Sequence, residues 1–198
     1  MSLSAVCESM LRSTCAISVR IAPKRGYRRA MYTELFGQMK KQLGQLDAWF
    51  VAAEALATAK KFDANVLLEL RLSPDQFPLV RQIQMACDTA KLGASRITGK
   101  DAPAQPDTEK TFSELRARID GVIAYLGTFT ASDFEGAATR TVTQPRWEGK
   151  VMSAPDYLIE HSVPNFYFHL AHTYAILRHN GVSIGKRDYL GTLSQRLP

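Results

Sequence analysis

From Tyr32 to Lys61 the residues Leu35, Phe36, Met39, Leu43, Leu46, Phe50, Val51 and Leu56 recur at steps of three or four, with no proline among them. That is the period of a helix with one apolar face, and it predicts a long first helix. A linker, Phe62–Arg71, holds the apolar run Val66, Leu67 and Leu68, and Ser73-Pro74 then has the form of an N-cap followed by proline at the first helical position. A second helix is predicted over Phe77–Ile97, with Gly99 as its stop. After the proline-punctuated stretch 100–107, Thr111-Phe-Ser-Glu114 matches a capping box, and Leu115, Ile119, Val122, Ile123 and Leu126 give a third helix ending near Gly127.

The period changes between Ser132 and Ser153. Thr139–Thr143 alternates β-branched residues, Gln144-Pro145 turns, and Trp147–Met152 reads as a return strand, so a small hairpin is expected. Ser153-Ala-Pro-Asp156 has cap chemistry again, and a fourth helix should run to about Asn180, with Gly181 as its stop. Pro164 lies inside that helix and should kink or split it, because proline removes a hydrogen bond and its ring strikes the preceding turn. The expected fold is all-α, an antiparallel four-helix bundle with a small β-hairpin or extended insertion before the last helix and the segment 184–191 packed back across it.

Composition narrows this only at the N-terminus. The chain has 198 residues and a formal charge of +6, a size that suits one domain. Arg12, Arg20, Lys24, Arg25, Arg28 and Arg29 face the single acid Glu8 within the first thirty residues, so the rest of the chain is almost neutral. Its Lys and Arg are mixed with acids along every segment, which argues against a nucleic-acid surface. Leu3, Val6, Cys7, Met10 and Leu11 make an amphipathic stripe in a serine- and arginine-rich context, the composition of an organellar transit peptide. The other reading is a start at Met31 preceded by a tail. The expected organisation is therefore a basic leader or disordered tail over 1–30, a helical domain over 31–191 and a tail over 192–198. The expected location is cytoplasmic, or organellar if 1–30 is a transit peptide. No apolar run is long enough to span a membrane, and three cysteines give no disulfide framework. Cys87, on the second helix among apolar neighbours, reads as a buried and inert thiol.

The candidate chemistry lies on the fourth helix, which carries all four histidines: His161, His169, His172 and His179. Asn165, His169, His172, Ile176 and His179 fall within roughly 40° of one line down that helix. His161 joins them only if Pro164 leaves the register unrotated. Imidazoles one turn apart can share a metal ion, and facing helices can add ligands; Gln84 and Asp88 of the second helix are the candidates to face the stripe. The bland alternative is a set of surface or satisfied core histidines, with His179 favoured by the helix dipole.

The runs His161-Ser-Val-Pro-Asn-Phe-Tyr-Phe-His169, Tyr174–Val182 and Gly185-Lys-Arg-Asp-Tyr-Leu-Gly191 resemble an uncharacterised domain-of-unknown-function branch of the DinB/YfiT-like superfamily, over about residues 31–191. The resemblance implies a helical bundle, usually dimeric. Better-known relatives hold a divalent metal through three histidines, and some are thiol-dependent transferases, isomerases or hydrolases. Of those ligand positions His169 matches, whereas the position four residues earlier is Asn165 and the one on the second helix falls near Gln84. Two functions are therefore carried forward. One is a homodimeric binding protein whose polar pocket, around Gln84, Asn165 and His169, takes an unknown small ligand by hydrogen bonds. The other is a transferase or hydrolase dependent on a divalent metal, zinc or nickel, held by His169 with His161 or His172.

Overall fold

Helix α1, Arg25–Lys60, ends where Lys61 turns into the left-handed region at φ 59°. The computed structural model describes residues 25–197, with side chains from residue 31 onward, so the amphipathic stripe of Leu3–Leu11 lies outside the described residues. Along α1, Tyr32, Phe36, Met39, Leu43, Leu46, Phe50, Ala53 and Ala57 are buried at helical spacing. Val51, expected on the apolar face, is instead 55% exposed, and Trp49 is buried beside Phe50 in that turn.

A 3-10 turn over Ala64–Glu69 follows, carrying the buried Leu67 and Leu68. The next helix does not start at Ser73-Pro74 as the cap chemistry suggested. Ser73 hydrogen-bonds Asp75 within a turn, and α2 runs Leu79–Thr98 with Pro78 at its N-cap. The reason is local: Pro78 disfavours helical backbone at Phe77, so no helix passes through that pair. Gly99, at φ 79°, caps the far end of α2.

The loop between α2 and α3 (Phe112–Gly127) has little regular structure but is firmly held. Arg118 of α3 is buried and bonds Asp88, Asp107, Glu109 and the Pro106 carbonyl, while buried Lys91 bonds Asp88 and Gln105. Thr111 and Glu114 form the expected capping box.

Between Ala131 and Trp147 lie three short 3-10 turns and strand β1, Thr141–Val142, which pairs antiparallel with β2, Met152–Ser153. The hairpin exists, but Trp147 belongs to a turn and not to the return strand. The short helix α4, Ala154–Asp156, is capped by Ser153 and opens into a π-helical turn over Tyr157–Ser162 before α5, Val163–His179. The turn widens just ahead of Pro164. A proline ring collides with the carbonyl one α-turn earlier and offers no N–H to it, and the wider π turn absorbs both problems.

α6, Lys186–Leu190, folds back onto α1: Trp49 Nε1 donates to the Asp188 carbonyl at 3.2 Å and its ring stacks on Tyr189. The four long helices α1, α2, α3 and α5 enclose one core, with α2 in contact with each of the other three. At the seam between α2 and the π turn a Cβ on Gly93 would lie 2.6 Å from Ser162 Oγ, so only glycine allows this approach. Among the described residues no helix is long and apolar enough to cross a membrane.

Candidate functional site

The seam between α2 and the α4–α5 segment carries a ladder of polar pairs. Gln82 Oε1 is 2.8 Å from His169 Nδ1, Asn165 Nδ2 donates to Thr89 Oγ1 at 2.7 Å, and Arg96 Nη1 donates to Tyr157 Oη at 3.0 Å. Rising numbers on α2 meet falling numbers on the partner, so the two run antiparallel. Gln82, Thr89 and Arg96 recur every seventh residue, which returns to within about 20° of the same face after two turns. Arg81, Asp88 and Ser95 share that spacing, as do Gln84, Lys91 and Thr98, so the recurrence by itself does not mark the seam.

His169 is 5% exposed, and its tautomer follows from its partner. Gln82 Nε2 donates to the Phe77 carbonyl at 3.0 Å, which turns the amide oxygen towards the ring. His169 must then carry its proton on Nδ1, and Nε2 keeps a lone pair. Burial, with smaller contributions from His172, Arg81 and Arg146, pushes the imidazole down to about 4. The ring is therefore neutral at pH 7, an acceptor at Nε2 and a weak base. General-base catalysis favours a pKa near the working pH, so this environment suits binding better than proton abstraction. His172, one turn on, donates Nδ1–H to the Phe168 carbonyl at 2.7 Å, and His179 is exposed in the last turn.

His161 stands apart from this pair. The π turn rotates it away from the stripe, as the Pro164 proviso allowed, and it faces the hairpin. Its ring stacks on Tyr157, with centroids 5.1 Å apart and planes 16° apart, and meets the Trp147 edge at 5.6 Å. Gln144 Oε1 accepts from Arg146, so Gln144 Nε2 donates to His161 Nε2 at 3.3 Å. The proton then sits on Nδ1, which is buried without a hydrogen-bond partner. Burial, then Arg146 and Arg96, lowers the pKa of His161.

Gln84 is corrected as a pocket residue. It is two residues from Gln82 and so roughly 200° away around the helix. Its oxygen accepts from Arg81 and its nitrogen donates to Glu109, on the side of the α2–α3 loop. Asn165 does line a cavity, of about 230 Å³, together with His161, Gln144, Arg81, Arg96 and Arg146 among others. A larger hollow of about 350 Å³ over residues 104–118 has Arg118 and Glu109 in its wall, and these are bonded to each other.

The residues at the seam do not fit a resident divalent metal. The histidine positions implied by the resemblance are here Asn165, which donates to Thr89, and, on α2, Gln84, whose oxygen accepts from Arg81 and whose nitrogen donates to Glu109. Imidazole, thiolate and carboxylate are the usual donors, and among the described residues no three of His, Cys, Asp and Glu converge at metal-binding spacing. His169, His172 and His161 thus do not form one cluster. Cys87 is fully buried, and burial pushes its thiol up to about 12, which is the inert state expected of it. Sequence reasoning missed Gln82, Thr89, Arg96, Gln144, Arg146 and Tyr157.

The family model described as a domain of unknown function, DUF1993, matches residues 31–190. Among solved structures the chain is similar to a DinB family member protein from Shewanella denitrificans, at 48% identity and a TM-score of 0.85, over 88% of this chain and 100% of that chain. No curated protein matches significantly.

Proposed function

We propose that this chain, which belongs to the DUF1993 family of DinB-like helical proteins, is a binding protein that takes a small ligand in the polar cavity between α2 and the α4–α5 segment. One observation carries the reading. The cavity of about 230 Å³ is lined by hydrogen-bonding side chains contributed by three elements, Asn165, Gln144 and Arg96. That volume suits a ligand below drug size. In the same proposal the four long helices form an antiparallel bundle and the chain is a homodimer. Exposed Phe77 and Phe168, each 52% accessible, support the dimer more than α1 does, where Val51 is the large apolar residue left outside.

Protein-observed NMR of the full chain against a fragment set tests the cavity. Ring signals of Trp147 and His161 should shift, and Asn165→Leu should remove the response; fragments that leave both signals unmoved would overturn the reading. Metal analysis of protein purified without a histidine tag tests the alternative. A stoichiometric divalent ion that is lost in His169→Ala would replace the binding proposal with the metal-dependent one, whereas a trace amount supports it. Sedimentation at micromolar concentration tests the dimer, and a monomer would sink that part.

A further inference from the structure

We infer that the cavity is an anion site, and that its ligand is a small carboxylate carried on a flat aromatic or apolar body. The inference rests on the binding reading above and adds the chemistry of the ligand.

The charge comes from two guanidiniums. Arg96 and Arg146 both line the cavity, and among the described residues neither is ion-paired to a carboxylate. The hydrogen bonds they make go to neutral groups, Tyr157 Oη for Arg96 and Gln144 Oε1 for Arg146. A guanidinium has five donors in a planar fork, so most of each fork remains available. The third arginine of the lining, Arg81, is matched by Asp107. Asp88 is the carboxylate in the lining, and its oxygen is held at 2.8 Å by Arg118 and at 3.1 Å by Lys91, both almost wholly buried. Its charge is thus compensated from behind, and the cavity keeps an excess of positive charge. The proton affinity of His161 is lowered first by burial and then by Arg146 and Arg96, the latter part having the sign that such a field imposes.

The shape comes from the aromatic wall. The stacked Tyr157 and His161 rings line one side, backed by Trp147 edge-on to both, and Met85 and Leu92 of α2 contribute apolar surface to the lining. A planar carboxylate recognised by an arginine fork beside such a wall places its ring against the apolar side chains and its charge at Arg96 and Arg146.

Benzoate, benzamide and inorganic phosphate, titrated separately into the full chain and followed by the Trp147 and His161 NMR signals, test this. Benzoate should bind about ten- to a hundredfold more tightly than benzamide, the range expected for charge-assisted hydrogen bonds. Arg146→Met should remove about tenfold or more of the benzoate affinity while leaving benzamide unmoved. Arg96→Met supplies a second variant, on α2. Equal binding of benzamide overturns the anion assignment and leaves the cavity reading standing. Phosphate binding as well as benzoate overturns the flat body. A preference for benzoate that survives both arginine variants overturns the assignment of those residues. Signals unmoved by all three probes overturn the inference and the cavity reading together.

Discussion

Gln82 Oε1 stands 2.8 Å from His169 Nδ1, and the Phe77 carbonyl holds the amide in the orientation that makes the imidazole the donor. The tautomer of the most buried histidine is thereby set by an amide on another helix, while burial keeps the ring neutral. A neutral amide at Nδ1 brings no negative charge to offset that burial.

Replacing that acceptor with an anion should reverse this. In Gln82→Glu the carboxylate favours the imidazolium, and the proton affinity of His169 should rise roughly 10- to 1,000-fold. Histidine NMR titration of the variant reads the effect directly; an unchanged His169 curve would show that the contact does not control the ring.

The same burial makes stability depend on pH. The folded pKa of His169, about 4, lies below its ordinary 6.5, so between these values the unfolded chain binds a proton that the folded chain refuses. Stability is therefore full above about pH 6.5 and falls as pH drops towards 4, by at most about 3 kcal/mol for this group. His161 acts in the same direction. Urea unfolding at stepped pH should give a shallower slope for His169→Gln than for the parent, and identical slopes would count against the assignment.

Gly93 tests the close seam. Its Cβ would meet Ser162 Oγ at 2.6 Å and the Phe36 ring at 3.3 Å, so Gly93→Ala should cost about 1–3 kcal/mol through overpacking. Ser162 Oγ is buried without a hydrogen-bond partner, and Ser162→Ala alone should be near neutral or stabilising. Combined, the two should recover part of the loss. Strict additivity in urea midpoints would show that the two positions do not touch.

Arg118 ties the loop between α2 and α3 to both helices. Its side chain is 1% exposed and serves Asp88, Asp107 and Glu109. Arg118→Met should cost about 3 kcal/mol, at the lower end for a broken buried pair because Asp88 and Asp107 keep some solvent contact. A lowered midpoint at an unchanged denaturant slope is the expected result, and a loss under about 0.5 kcal/mol would refute it.

The helices were legible because their causes are local. The capping box at Thr111 and Glu114, the glycine stop after α2 and the apolar period of α1 each act within a turn or two of chain. Misreadings occurred where two local signals competed: Ser73-Pro74 has cap chemistry, but Pro78, four residues on, is the proline that adjoins the helix.

What the sequence determined by itself was therefore the set of helices, the family resemblance, and the helix that bears the histidines. Which residues face one another was decided by tertiary structure alone. α2 meets α1, α3 and α5, and Gln82 and Gln84 lie about 100° to either side of its apolar stripe of Ile83, Ala86, Ala90, Ala94 and Ile97, so the pattern does not tell which of them faces α5. The π turn before Pro164 then shifts the helical register, sending His161 to the aromatic wall and leaving His169 and Asn165 at the seam. Periodicity specifies a face only when one side of a helix meets water and the turns are regular, and at this site neither condition holds.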